Sequence, residues 1–309
     1  MALFNSIWDD LQYSLRTGNM ITKLVVFNFA VFVVTKFAYL IVGGFTMGNP
    51  ELLYRVGLQY VCIPANVMTL LWQPWSLLTH MFLHDAFWHL VNNLFGLYIF
   101  GSIVSDLIGD RRVLALYLLG GLFGGIFFIV SAQLGVLGIG GYALGASAAV
   151  MAMGGAALIL APDYRVPLLI LGAVKVKYIV LVLVLLDLTA IAGHYDSGGP
   201  IAHLAGLILG CIFVYQLRDG RDWAESVNQL LTKITGLFTR KPGKSRRSNR
   251  PGPMKATFVG TAKASSRSDV HPTHSFQDQL DAILDKIKST GYESLSQEEK
   301  DFLYEASQK

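Results

Sequence analysis

Three short stretches in the largely apolar first two thirds of the chain contain residue types that can carry out covalent catalysis. Ser147 follows Gly145 by two positions, and His203 lies within an apolar run that begins near residue 200. His89 and Asn93 are four residues apart, which places both on one face of a helix. A serine hydroxyl is inert at neutral pH unless a nearby imidazole accepts its proton. The sequence therefore predicts a nucleophile, Ser147, and a general base, His203, on two different helices.

The same stretches offer hydrogen-bond donors for the negative charge that forms when a serine attacks a carbonyl group. We expect the side chains of His89 and Asn93, with the backbone N–H of Ser147, to form this oxyanion hole. Each such donor is worth on the order of 3 kcal/mol in other enzymes. Gly145 and Gly206 would let the helices of the dyad approach closely. This chemistry requires neither an aspartate nor a cofactor.

Each of these residues also has a simpler interpretation. A lone histidine among small residues of an apolar helix, such as His203, is more often a structural hydrogen-bonding group. Ser147 alone would be an ordinary packing residue of a membrane helix. Only the combination of both with His89 and Asn93 favours catalysis.

A metal site formed by His80, His84 and His89 is a further alternative, because His80 and His84 are one helical turn apart. This stretch lacks the carboxylate base of an HExxH site, which argues against it. We expect His84 to line the outer mouth of the site and His80 to bond the loop backbone.

The elements that must position these residues belong to a membrane protein. Of the 309 residues, 53% are hydrophobic and only 15% are charged, and the mean hydropathy is +0.47. The net charge of +4 comes largely from the basic run between residues 240 and 250, which is typical of a cytoplasmic flank and does not require nucleic acid as a partner. The two cysteines, Cys62 and Cys211, form no CxxC motif, and redox chemistry is not expected.

Six apolar stretches are long enough to be considered as membrane spans, since about 20 residues cross the hydrocarbon core. They predict an all-α membrane protein whose fourth and fifth spans are short. The stretches are Leu24 to Gly43, Trp88 to Ile108, Val113 to Leu134, Ala146 to Ala161, Tyr178 to Ala192 and Pro200 to Leu217.

Lysine and arginine residues between the spans predict the orientation. Sixteen of them, up to Arg250, fall on the side of the two termini, whereas Arg55 stands alone on the other side. Both termini are therefore expected in the cytoplasm, with the protein in the cytoplasmic membrane. Lys36 and Asp187 fall inside proposed spans, where snorkelling or internal pairing is the simpler interpretation and a catalytic role the alternative.

We predict four parts of the chain from these patterns. Residues 1–21 form an amphipathic cytoplasmic or interfacial segment, marked by Leu3, Phe4, Ile7, Trp8, Leu11 and Leu15. Residues 22–217 form the membrane domain, and residues 218–275 a basic mobile linker. Residues 276–309 form a small cytoplasmic helical hairpin, with a capping box at Ser296 and Glu299. So small a unit buries little surface alone, so a protein partner or self-association is expected.

The motifs together resemble the rhomboid intramembrane serine proteases of the bacterial type, over roughly Leu24 to Leu217. The resemblance rests on His-x-x-x-Asn in the second span, Gly-x-Ser in the fourth and Ala-His-x-x-Gly-x-x-x-Gly in the sixth. It implies a six-transmembrane-helix bundle with a Ser147–His203 dyad, an oxyanion hole using His89 and Asn93, and a water-filled cavity open to the outside. It also implies substrates that are membrane-anchored proteins, cut in or near their transmembrane segments.

Two positions near the proposed centre depart from the usual family pattern. Ala148 follows the serine, where glycine is usual, and Met151 stands where a tyrosine often stacks on the histidine. A thioether can also pack on an aromatic ring, so Met151 is expected to support His203. The alternative is a rhomboid-like protein with weak or no turnover that binds the transmembrane helices of client proteins.

Overall fold

The computed structural model describes residues 12–45, 57–135, 141–193, 198–238, 276–290 and 294–307. The chain divides into two compact units, Met1–Lys244 and Ser245–Lys309. Most of the predicted N-terminal amphipathic segment and most of the predicted linker lie outside the described residues. Within the first of these, residues 12–17 are helical.

Helices dominate the first unit, and six of them form the membrane bundle. The bundle helices are α1 (Met20–Phe45), α4 (Phe87–Ile108), α5 (Val113–Gln133), α6 (Ser147–Leu160), α7 (Val176–Ala192) and α8 (Gly198–Arg218). Two short helices, α2 (Val67–Trp72) and α3 (Ser76–Thr79), lie in the long connection before α4. Each bundle helix matches a predicted span, so the all-α membrane architecture is confirmed.

Four of the bundle helices are long and apolar enough to cross a membrane. Their candidate spans are Met20–Val42, Phe87–Ile108, Asp110–Gln133 and Gly198–Arg218. Helix α6 is apolar but has only 14 residues, and α7 has 17. The prediction that the fourth and fifth helices are short is thus correct.

Helix α6 lies at the centre of the bundle. Ten consecutive residues, from Ala148 to Ala157, are buried, which is possible because α6 packs against α4, α5, α7 and α8. The closest approach is to α8, where a Cβ added at Gly206 or Gly210 would overlap backbone carbonyl groups of α6. Small residues thus bring the two helices of the predicted dyad together, as they commonly do in lipid.

Two small antiparallel pairs of strands lie outside the helices, and the sequence patterns did not predict them. Strand β1 (Ile63–Pro64) pairs with β2 (Tyr142–Ala143) and so connects the long loop before α4 to the loop before α6. Strands β3 (Arg165–Leu168) and β4 (Gly172–Lys175) form a hairpin between α6 and α7. Strands of two to four residues are too short for their alternation to be visible in the sequence.

The predicted linker from residue 218 begins too early. Trp223–Phe238 form helix α9, which is anchored to the turn between α4 and α5. Arg112 forms an ion pair with Asp222 at 2.7 Å, and Trp223 packs edge-to-face on Phe213 of α8. These contacts between distant residues support a helix that composition alone assigned to a linker.

The second unit contains two described helices, α10 (Phe276–Thr290) and α11 (Gln297–Ser307). The capping box is confirmed, since the N–H of Ser296 donates to Glu299 at 2.7 Å and the N–H of Glu299 donates to Ser296 Oγ at 3.3 Å. An ion pair between Lys286 and Glu299 at 2.8 Å joins the helices and lowers the pKa of that carboxyl. Partner binding by this hairpin stays a prediction.

Candidate active site

Ser147 is the first residue of α6, directly after a loop that needs glycine. Gly145 has a φ of +125°, a conformation that residues with a Cβ rarely adopt. A Cβ there would also lie 2.8 Å from His89 Nε2 and 3.6 Å from Ser147 Oγ. The N–H of Gly145 donates to the carbonyl of His80 at 2.9 Å. The loop thus holds Ser147 at the helix start, where N–H groups have no acceptor within the helix and negative charge is favoured.

His203 lies one turn before Gly206 on α8, where the backbones of α6 and α8 approach most closely. Its Nδ1 is 2.9 Å from Asp187 Oδ1 of α7, and the two side chains are 26% and 12% exposed. One ring nitrogen is therefore occupied by a carboxylate. The other nitrogen, Nε2, is left for a different partner.

The predicted oxyanion residues lie on the first two turns of α4. His89 Nδ1 is 2.7 Å from Asp85 Oδ1, and its Nε2 is the atom that faces Gly145. Asn93 is buried, and its side-chain amide donates to the carbonyl of His89 at 2.8 Å. An amide carries two N–H donors, so one of them remains for a ligand.

One cavity of about 450 Å³ connects these elements. Its polar lining residues are His89, Asn92, Asn93, Ser147, Asp187 and His203. The rest of the lining is mainly apolar and comes from α4, α6 and α7. The structure thus brings all four predicted residues, with Asp187, to one hollow between the helices.

The two departures from the family pattern occupy different places. Met151 is buried and lines the same cavity as His203. Ala148 lies against Gly124 of α5, where the absence of a side chain accommodates its methyl group. It lines a separate cavity of about 30 Å³ with Ser147, not the larger one. The extra methyl group therefore packs into the bundle.

The prediction that His84 lines the mouth of the site is wrong, because His84 is not among the residues that line this cavity. It is 2% exposed, packs edge-to-face on His89 with ring centroids 5.1 Å apart, and neither ring nitrogen has a protein partner. Burial and the nearby His89 lower the pKa of His84 to about 4. The neutral ring supports His89 by packing.

His80 bonds the backbone of the long connection before α4, with Nδ1 2.8 Å from the carbonyl of Ser76 in the short helix α3. Burial lowers its pKa to about 4. Within the described ranges, no group of three or more histidine, cysteine or acidic residues could hold a metal ion. Cys62 is buried, which raises the pKa of its thiol to about 12, so it is a poor nucleophile at neutral pH.

Two carboxylates near the cavity have histidine partners that the sequence spacing did not identify. Asp85 lies four residues before His89, a spacing that could have indicated the pair. Burial raises the pKa of Asp85, but the hydrogen bond and charge of His89 outweigh it and the pKa falls. The Lys36 ammonium group donates a hydrogen bond to the backbone carbonyl of Asp85 at 2.6 Å. The Asp187–His203 contact joins residues from two helices and has no local signal.

Comparison with known proteins gives a consistent picture. Residues 71–219 match the Rhomboid domain family, and residues 274–309 match a family of unknown function (DUF6576). The chain is 28% identical over 141 residues to "Rhomboid protein 1, mitochondrial" of Saccharomyces cerevisiae, covering 45% of this chain and 40% of that protein. It is 29% identical over 158 residues to "RHOMBOID-like protein 12, mitochondrial" of Arabidopsis thaliana, covering 47% of each. The chain thus matches less than half the length of either relative.

Proposed function

Because the chain belongs to the rhomboid family, we propose that it is an intramembrane serine endopeptidase. It cleaves transmembrane segments of membrane-anchored proteins through a dyad of Ser147 and His203. The observation that supports this most strongly is that both residues line one cavity with His89 and Asn93.

The proposed reaction follows from the roles available to these groups. His203 Nε2 takes the proton of Ser147 Oγ while Oγ attacks the substrate carbonyl carbon, and the carbonyl oxygen becomes negatively charged. The N–H of Ser147, the free N–H of Asn93 and His89 stabilise that oxygen. His203 then gives the proton to the leaving amine, and water releases the acyl group in a second, equivalent step.

The contact between His89 and Asp85 determines which hydrogen His89 can offer to the oxyanion. Its Nδ1 proton is directed at Asp85, because a carboxylate can only accept. Nε2 can then donate to an oxyanion only when the ring carries both protons. Asp85 stabilises that cation, so the pair supplies a charge-assisted donor.

An apolar substrate segment suits the cavity. Its lining from α4 and α7 includes Phe95, Ile99, Ile179, Leu183 and Leu186. These side chains favour contact with a lipid-embedded helix, while the polar groups lie at the reacting end. Membrane-anchored proteins are therefore the proposed substrate class.

We place the protein in the cytoplasmic membrane with both termini in the cytoplasm, from the distribution of basic residues. A cysteine introduced at Ser226 of α9 should then be protected from a membrane-impermeant thiol reagent in intact cells. Labelling of that cysteine before the cells are opened would contradict the proposed orientation and place α9 outside the cytoplasm.

The alternative is a rhomboid-like protein that binds client helices with little or no turnover. The observation that favours it is that Met151, a departure from the usual family pattern, lines the same cavity as His203. Both functions predict that a client helix is retained by Ser147→Ala, so binding alone does not separate them.

Cleavage separates the two functions. The purified protein in lipid vesicles is incubated with a membrane-anchored test protein whose transmembrane segment contains small and helix-weakening residues. We expect cleavage by the native chain and none by Ser147→Ala or His203→Ala, with all three chains equally folded. Retention of the test protein by the native chain without cleavage would favour the binding function.

A further inference from the structure

The buried carboxylate of Asp187 is the feature that the proposed dyad leaves unexplained. It lies in the second half of α7, where the neighbouring Leu185 and Leu188 are exposed on the surface of the bundle. A carboxylate in a membrane helix is unfavourable unless it is paired or faces water, and it then tends to be functional. Asp187 is buried and lines the cavity.

The partner of Asp187 is the imidazole of the proposed base. Oδ1 is 2.9 Å from His203 Nδ1. A carboxylate accepts hydrogen bonds and cannot donate them, so the ring proton of neutral His203 lies on Nδ1. Nε2 then carries the lone pair that can take a proton from a serine hydroxyl.

We propose that Asp187 is a positioning residue that holds His203 in the tautomer and ring orientation needed to act on Ser147, completing a Ser147–His203–Asp187 triad. This inference rests on the proposed function. When the Ser147 proton moves to Nε2, the ring becomes a cation and Asp187 supplies the counter-charge at Nδ1. The carboxylate keeps its own state throughout, as in triads of soluble serine hydrolases.

Packing alone explains Asp187 poorly. The other buried residues of α7, Val176 and Val180, lie near its start. In the second half of α7, the buried contact with α8 is therefore the one between Asp187 and His203. If the contact were only a structural hydrogen bond, an asparagine at position 187 could accept it from His203 equally well. A positioning role requires the charge, and this difference makes the inference testable.

Kinetics provide the first test. Asp187→Asn preserves shape, and we expect kcat for the test substrate to fall on the order of 10⁴-fold, as the same change does in a soluble triad, with KM little changed. Asp187→Glu, which keeps the charge, should recover part of the loss. Asp106→Asn, the same change at an exposed position of α4, is the matched control and should retain native activity. Native kcat in Asp187→Asn would overturn the inference.

The pH profile separates positioning from structural support. Besides Asp187, the titratable group that lines the same cavity as His203 is His89 of α4, which pairs with Asp85. His89 and Asp85 are unchanged in Asp187→Asn. A positioning role predicts that Asp187→Asn changes the shape of the kcat–pH profile, whereas a structural defect would lower kcat at every pH alike and so overturn the inference.

Nitrogen NMR of ¹⁵N-histidine-labelled protein tests the same contact without turnover. The His203 signals are identified by their loss in His203→Gln. In the native chain we expect the neutral His203 ring to carry its proton on Nδ1. In Asp187→Asn we expect this preference for the Nδ1-protonated tautomer to be lost. If the native chain shows the Nδ1-protonated ring but cleaves no test substrate, the Asp187–His203 contact is supported and the proposed protease activity is refuted. Cleavage with a neutral ring protonated on Nε2 in the native chain would refute the Asp187 inference alone.

Discussion

Gly145 shows at the scale of one residue how the backbone constrains the candidate site. It permits the φ of +125° and leaves room for the ring of His89 next to Ser147. Sequence reasoning identified Gly145 through its spacing to the serine. The structure supplies the physical reason, which is lack of space on the side of the proposed oxyanion donor.

Gly145→Ala should therefore reduce activity and also destabilise the protein, because a φ of +125° strains any residue with a Cβ. The added methyl group would displace His89 Nε2, and loss of one oxyanion donor lowers kcat on the order of 10²-fold. The measurement is kcat on the test substrate beside a thermal melt. Gly141→Ala is the matched control, because Gly141 also has a positive φ, +74°, but open space around its Cβ position. Equal losses in both variants would assign the effect to backbone strain instead.

At the scale of helices, the pair α6 and α8 determines where Ser147 and His203 lie. A Cβ at Gly210 would overlap the carbonyl oxygen of Ala152, and neither backbone can yield without separating the helices. We expect Gly210→Ala to destabilise the bundle by about 1–3 kcal/mol, the usual effect of overpacking. Unfolding by titration with a denaturing detergent measures this difference.

Gly236→Ala provides the comparison for that measurement. Gly236 lies in α9, and nothing is within 4 Å of its Cβ position. Alanine favours a helix over glycine by up to about 1 kcal/mol, so this variant should be as stable as the native chain or slightly more stable. Equal stability of Gly210→Ala and the native chain would contradict the close α6–α8 contact.

The six helices of the membrane bundle were largely predictable because each is a continuous apolar run. The predicted span Trp88 to Ile108 and the helix Phe87–Ile108 differ by one residue, and the other bounds agree within a few positions. Helix α9 and the strand pairs were not predictable, because contacts between distant residues such as Arg112 and Asp222 support them. Asp187 was noticed only as an unusual charge, and its partner is set by the packing of α7 on α8.

At the scale of the whole molecule, two buried neutral histidines connect stability to pH. The pKa of His80 and that of His84 are both lowered to about 4 in the folded protein, mainly by burial. Unfolded histidine has a pKa near 6.5. As the pH falls from about 6.5 to about 4, the unfolded chain binds protons that the folded chain does not, so folding stability decreases.

We therefore expect the melting temperature in detergent to drop between pH 7 and pH 4.5. His84→Gln removes one of the two groups, so its melting temperature should depend less steeply on pH over this interval. Parallel curves for the native chain and His84→Gln would show that His84 does not titrate as its burial requires.

The central claim is that Ser147 is a nucleophile activated by His203. The most direct test is reaction of the purified protein with a fluorophosphonate, followed by mass spectrometry of the labelled peptide. We expect one adduct, on Ser147, formed faster at pH 8 than at pH 5 and lost in His203→Ala. An unlabelled Ser147 in folded native protein, or labelling that persists at the same rate in His203→Ala, would contradict the account.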